Sequence, residues 1–448
     1  MKRNESLISG PIGSALLAFV VPLMLSSLVQ QLYVTADAVI VGRIAGKTAL
    51  AAIDSVHTLF RFPINFMNGL AAGATILISR HFGAENRDGV RSCMLSAGAL
   101  AVVLGILCAV GGVLLTPVLL QFMQVPEDIY AQTLEYTRIY FGGIWAMILY
   151  NMASGVLRAF GNSKSPLYIL LVSSIINIVG DILLVGGLGM GTAGAAIATV
   201  TAQALSVVFA VILLIKKKLP FKITRKDFSL NSQCKKFLKI GLPLALQEFL
   251  TQMSFLALCA FVNRLGLEAS SGYGVACKIV NFAMLVPSAL MQSMASFVSQ
   301  NIGAGKTKRA KKSMFTGIGV GLVVGCMVFL LVMLKGDMLA GFFTTDAAVI
   351  QKGYAYLKGF ALETIVTAIL FSMVGYFNGN NKTVWVMTQG LIQTLLVRLP
   401  FAYVMSIQPD ASLTKIGLAA PVSTMVGIVL NVGFYIYLGK QEKKISKK

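Results

Sequence analysis

Residues 166–186 read PLYILLVSSIINIVGDILLVG, and this stretch decides the fold. It holds one charge, Asp181, in a run long and apolar enough to cross a bilayer core of about 30 Å as a helix. Eleven more stretches qualify, giving twelve expected spans near 14–41, 49–79, 92–121, 134–157, 166–186, 193–215, 237–262, 270–299, 314–340, 354–375, 383–406 and 415–438. Several exceed the minimum length, which predicts tilt or kinks. Pro22 and Pro243, early in spans 1 and 7, each remove a backbone donor.

Composition agrees. The residues AVILMFWYC make up 56% of 448 positions, charged residues only 12%, and the mean hydropathy is +0.78. A soluble domain holds about 45–50% apolar residues with Gly already counted. The net charge of +21 does not point to nucleic acid, because the basic residues sit in short runs between apolar stretches. Twenty-seven Lys and Arg fall on the side of the N-terminus and eight on the other, which places both termini in the cytoplasm. Arg61, Lys278 and Arg398 fall within spans. The six cysteines form no CxxC pair, and the first apolar stretch is too long for a cleaved signal.

The chain repeats itself. Pro22 pairs with Pro243, Gly83-Ala84 with Gly303-Ala304, and Gly161-Asn162-Ser163-Lys164 with Gly379-Asn380-Asn381-Lys382. Six spans per half give the halves one orientation, so the expectation is two pseudo-symmetric lobes in a parallel repeat. The expected boundaries are 1–215 for the N-lobe, 216–236 for a basic cytoplasmic linker, and 237–448 for the C-lobe with its basic tail.

A charge inside a span costs about 2.5–3.5 kcal/mol on insertion scales, so Asp37 in span 1 and Asp181 in span 5 ask for a role. Asn177 lies four residues before Asp181, hence on the same helical face. Two acids inside one lobe suit a hard cation or a shared proton, and no matching acid stands at the equivalent C-lobe positions. Glu248, Glu363 and Asp54 are weaker candidates, with Asp54 and Glu363 placed near span ends. Met253, Met284 and Met291 suit an adaptable cavity, together with Glu248 and the aromatic residues Tyr140 and Trp145 of the pairs Tyr136/Tyr140 and Phe141/Trp145.

Two motifs fail. Gly189-Met190-Gly191-Thr192-Ala193-Gly194 matches GxGxxG but follows no soluble strand, and Gly305-Lys306-Thr307 lacks the first glycine of a P-loop. ATP therefore has no site here, and no HExxH or GxSxG supports an enzyme.

Together these residues resemble the multidrug and toxic compound extrusion family over nearly the whole chain. Asp37, Asn177 and Asp181 match the N-lobe motif of its DinF-like branch, and Thr199 in Gly194-Ala195-Ala196-Ile197-Ala198-Thr199 matches the threonine of that cluster. The resemblance is closer to bacterial MepA-like exporters than to the NorM branch, whose C-lobe acids lack clear counterparts. It implies an all-α membrane protein of twelve helices in the bacterial cytoplasmic membrane. It implies an antiporter that exports amphipathic, often cationic compounds, driven by H+ or Na+ at Asp37, Asn177, Asp181 and Thr199. It needs no cofactor, nucleic acid or ATP, and works as a monomer. The alternatives are a flippase for a lipid-linked saccharide and, less favoured, an intramembrane enzyme.

Overall fold

The computed structural model describes residues 7–216 and 232–445, apart from the side chains of Thr58, Ser232, Glu442 and Ile445. The described residues form helices and no strand. The helices are α1 (Ile12–Ile44), α2 (Gly46–Gly83), α3 (Arg87–Phe122), α4 (Glu127–Ala159), α5 (Lys164–Asp181), α6 (Gly191–Lys216), α7 (Ser232–Asn263), α8 (Leu267–Ala283) and α9 (Leu285–Gly303). Then come α10 (Thr307–Gly341), α11 (Ala347–Phe360), α12 (Glu363–Gly379), α13 (Thr383–Leu391), α14 (Leu399–Ile407), α15 (Leu413–Gly417) and α16 (Ala419–Ile445). Two π-helical turns, Ile182–Gly187 and Ile392–Arg398, extend α5 and join α13 to α14.

Ten of these runs are long and apolar enough to cross a membrane, and two bent pairs raise the number to as many as twelve. The pairs are α8 with α9, bent by 40°, and α11 with α12, bent by 47°. Pro287 explains the first break. It has no N–H for the Ala283 carbonyl, and its ring crowds that carbonyl. In the second, Thr364 turns back on the chain, its hydroxyl donating to the Ala361 carbonyl at 2.8 Å and to Gly325 at 3.1 Å. By contrast α1 and α7 run through Pro22 and Pro243 as single helices.

The repeat is visible in local geometry. After α2, Ala84 N–H donates to Arg80 and Glu85 takes a φ of 55°; after α9, Ala304 N–H donates to Gln300 and Gly305 takes 72°. After α4, Gly161 is left-handed and Asn162 N–H reaches back to Leu157; after α12, Asn381 is left-handed and Lys382 N–H reaches back to Phe377. The last pair corrects the sequence register. Gly161 corresponds to Asn381, not Gly379, because Gly and Asn both tolerate the left-handed region.

Contacts divide the chain into two compact units. The first holds Val21–Ala245 together with Gln300–Gly305 and the described residues of Met1–Ser9; the second holds Gly10–Val20, Leu246–Ser299 and Lys306–Lys448. Within the first, small residues bring α5 against α6, where a Cβ on Gly180 would stand 3.0 Å from that of Ala198. The second has a core of Leu258, Val262, Tyr273, Tyr356, Phe360 and Ile416. Most of the expected linker 216–236 lies outside the described residues, although α7 begins at Ser232.

Candidate functional site

The four residues singled out for cation coupling meet within the first unit. Asp181 ends α5, and Asn177 lies one turn before it; both are fully buried. Thr199, 6% exposed, faces them from α6. With the amide oriented so that both its ends are satisfied, Asn177 Nδ2 donates to Asp181 Oδ2 at 3.0 Å and its oxygen accepts from the Thr199 hydroxyl at 3.2 Å. Tyr33 of α1 lies beside Thr199. Asp37 lies on the same face of α1 as Tyr33, and its carboxyl stands within hydrogen-bonding reach of Asp181.

A directed chain thus runs from Thr199 through Asn177 to a pair of carboxyl groups. One oxygen of each carboxyl, Asp37 Oδ1 and Asp181 Oδ1, is buried with no hydrogen-bond donor. A buried acceptor without a donor is costly, so the pair suits a proton or small cation that completes it. Immediately after Asp181 the backbone loosens into the π-helical turn, with Leu188 N–H bonded to Leu183 five residues back. Such turns recur at functional sites. Among the described residues, no three His, Cys, Asp or Glu side chains gather as a metal site.

Aromatic rings wall this centre. Phe60 of α2 packs with its ring tilted against Tyr140 at 4.1 Å and lies 6.0 Å from Tyr136 and 5.2 Å from Phe141, all on α4. A narrow crevice opens beside them, lined by Tyr140, Gly143, Ile144, Met147, Thr199, Val200 and Gln203. Sequence reasoning missed Tyr33 and Phe60. Tyr33 was findable from its spacing of four residues before Asp37, whereas Phe60 carries no signal beyond its type.

The proposed cavity residues belong to both units. Tyr140 packs on Phe60 and lies beside Thr199. Trp145, on the same helix, is 39% exposed and packs on Gly105 of α3. Glu248, Met253, Met284 and Met291 belong to the second unit, with Glu248 exposed, Met253 44% exposed, and Met284 at the break between α8 and α9. Asp54 is exposed on α2.

Glu363 departs from expectation. It is 6% exposed at the break between α11 and α12, because the helical run starts at Ala347 and not near 354. Its Oε1 accepts from Thr424 at 2.8 Å, and Thr424 accepts from Gln393, which accepts from Gln389. Arg398, 9% exposed, donates to Ser423 and lies over the Phe255 ring. The second unit therefore has its own polar network, built from amides, hydroxyls and a guanidinium around one acid.

Comparison with known proteins gives the family and the fold. The chain is 26% identical to the probable multidrug resistance protein YoeA of Bacillus subtilis over 95% of its length and 94% of that protein's. It is 24% identical to the multidrug export protein MepA of Staphylococcus aureus, covering 85% of this chain and 86% of that one. A solved multidrug resistance MATE family transporter in an outward-facing conformation superposes with a TM-score of 0.91 at 21% identity, over all of this chain and 99% of the other. The MatE family model matches twice, over 22–183 and 243–404, each match opening on one of the paired prolines. The chain belongs to the MatE family of membrane transporters, which are not enzymes.

Proposed function

We propose that this transporter exports amphipathic, often cationic compounds in exchange for H+ or Na+ bound at Asp37 and Asp181. The observation that carries the reading is the meeting of those two carboxyl groups, backed by Asn177 and Thr199 and each with one oxygen lacking a donor. Two carboxylates that close repel each other, and a proton or a Na+ among their oxygens cancels the repulsion. Occupancy of the site then favours one conformation of α1 and α5. Compound binding beside the Tyr140 wall favours the other. Coupling follows only if cation and compound prefer different states.

The driving force is adequate. A potential of ~100 mV gives about 2.3 kcal/mol per charge, or roughly 50-fold accumulation of a neutral compound. One-for-one exchange with a monovalent cation moves no net charge and draws on the chemical gradient alone. The protein works as a monomer in a bacterial cytoplasmic membrane with both termini inside, as the 27-to-8 bias in Lys and Arg supports.

Buried Arg398 supports a second reading, a flippase for an anionic lipid-linked saccharide. Everted vesicles carrying the protein separate the two. Saturable accumulation of a fluorescent lipophilic cation, driven by an imposed Na+ or pH gradient and collapsed by the matching ionophore, supports antiport. Gradient-independent flipping of an anionic lipid, without cation accumulation, overturns it.

A further inference from the structure

The ends of α2 and α9 hold each other reciprocally. A Cβ on Gly83 would overlap the Gln300 carbonyl oxygen, and a Cβ on Gly303 would overlap that of Arg80. Gly83 and Gly303 are equivalent in the repeat, as are Arg80 and Gln300, so each glycine lies on the carbonyl three residues before the other. Neither glycine has a left-handed φ. What demands glycine is the closeness of the two backbones, not the local turn. One of these helices comes from each repeat, yet all four residues belong to the first unit.

The seam is also bolted. Gln300 is fully buried, and its side chain makes two bonds. Nε2 donates to the Ala159 carbonyl at the end of α4 at 2.6 Å, and Oε1 accepts from Leu7 N–H at 3.3 Å. The neighbouring Asn301, also fully buried, donates from Nδ2 to the Leu7 carbonyl at 3.2 Å. Two amides thus clamp both backbone groups of Leu7 beside the glycine seam. The clamp joins the N-terminal segment, α2, α4 and α9 at the end expected to face the cytoplasm. Gly73 of α2 also packs closely on Gly241 of α7, where a Cβ would stand 2.6 Å from the Gly241 nitrogen.

We propose that Gly83 and Gly303 form the cytoplasmic gate of the transport cycle, and that Gln300 is the bolt that holds it shut. This rests on the antiport reading above, with the transporter alternating between outward-open and inward-open states, and adds the residues that close one side. Backbone seated directly on backbone seals the path without a side chain to move aside. The seam parts when compound loads from inside, and the Gln300 and Asn301 bonds to Leu7 and Ala159 break with it. A methyl group at either glycine keeps the seam from closing and shifts the population toward the inward-open state.

The test reads accessibility, not transport. Ser79 is fully buried one turn before Gly83, on the same face of α2. In a chain whose six native cysteines are serine, and which still transports, Ser79→Cys is exposed to a membrane-impermeant maleimide from the cytoplasmic side. Gly83→Ala and Gly303→Ala are each expected to speed labelling by about tenfold or more. Gly319→Ala, where a Cβ would meet nothing within 4 Å, is expected to leave it unchanged. Gln300→Ala, which leaves the backbone seam intact, gives a smaller rise and serves if a glycine variant fails to fold. Unchanged labelling in the folded glycine variants and in Gln300→Ala overturns the gate. Faster labelling in a protein that no ion gradient drives keeps the gate and removes the antiport reading.

Discussion

Asn177 donates to Asp181 Oδ2 at 3.0 Å from one helical turn away, so the span that carries the buried acid also carries the group that orients it. A carboxyl group fixed in this way keeps its other oxygen, Oδ1, buried without a donor, as is Asp37 Oδ1. On the proposed function, Asn177 is therefore a positioning residue for the coupling ion. Replacing it with Ala removes one donor from a buried carboxyl group, an effect of about 1–3 kcal/mol. Asn177→Ala is expected to raise the half-saturating concentration of the coupling ion by about tenfold or more, with folding retained. Proteoliposome transport measured across a series of ion concentrations checks it.

The acid of the second unit behaves differently. Glu363 is held by Thr424 within a chain of side-chain amides, so Glu363→Gln keeps an acceptor for that hydroxyl. Ion-driven transport is expected to survive this substitution. Thr424→Val instead leaves Glu363 Oε1 without its donor and is expected to lower stability by about 1–3 kcal/mol. Thermal unfolding in detergent, read beside transport, separates the two effects.

Much of the candidate site was legible because a charge in an apolar span is rare enough to mark itself. Asp37 and Asp181 stood out by type, Asn177 by its spacing, and Thr199 by family resemblance. What stayed hidden lacks a compositional signature. A π-helical turn adds a residue to a helix without changing its apolar character, so Ile182–Gly187 reads as ordinary span. Glu363 looked terminal because Lys352 and Lys358 suggested a loop. Both are exposed on α11, where Lys358 lies over the Tyr354 ring at 4.2 Å and its stem covers apolar surface. The break at Met284 did have a signal, Pro287, that span counting passes over.

Some local rules act apart from transport. Asn86 caps α3, its side chain accepting from Gly89 N–H at 2.8 Å, with Asp88 favourably placed in the first turn. Asn86→Ala is expected to cost about 1 kcal/mol of stability. Transport per folded molecule should not change. Thermal unfolding in detergent, with transport normalised to folded protein, shows both.

The central claim is that Asp37 and Asp181 couple the ion to the transported compound. Its most direct measurement is efflux of a fluorescent lipophilic cation from proteoliposomes under imposed Na+ or pH gradients, for the wild type, Asp37→Asn and Asp181→Asn. The account predicts that gradient-driven efflux is lost in both folded variants and that one of the two gradients drives the wild type. Wild-type rates in both variants would contradict it.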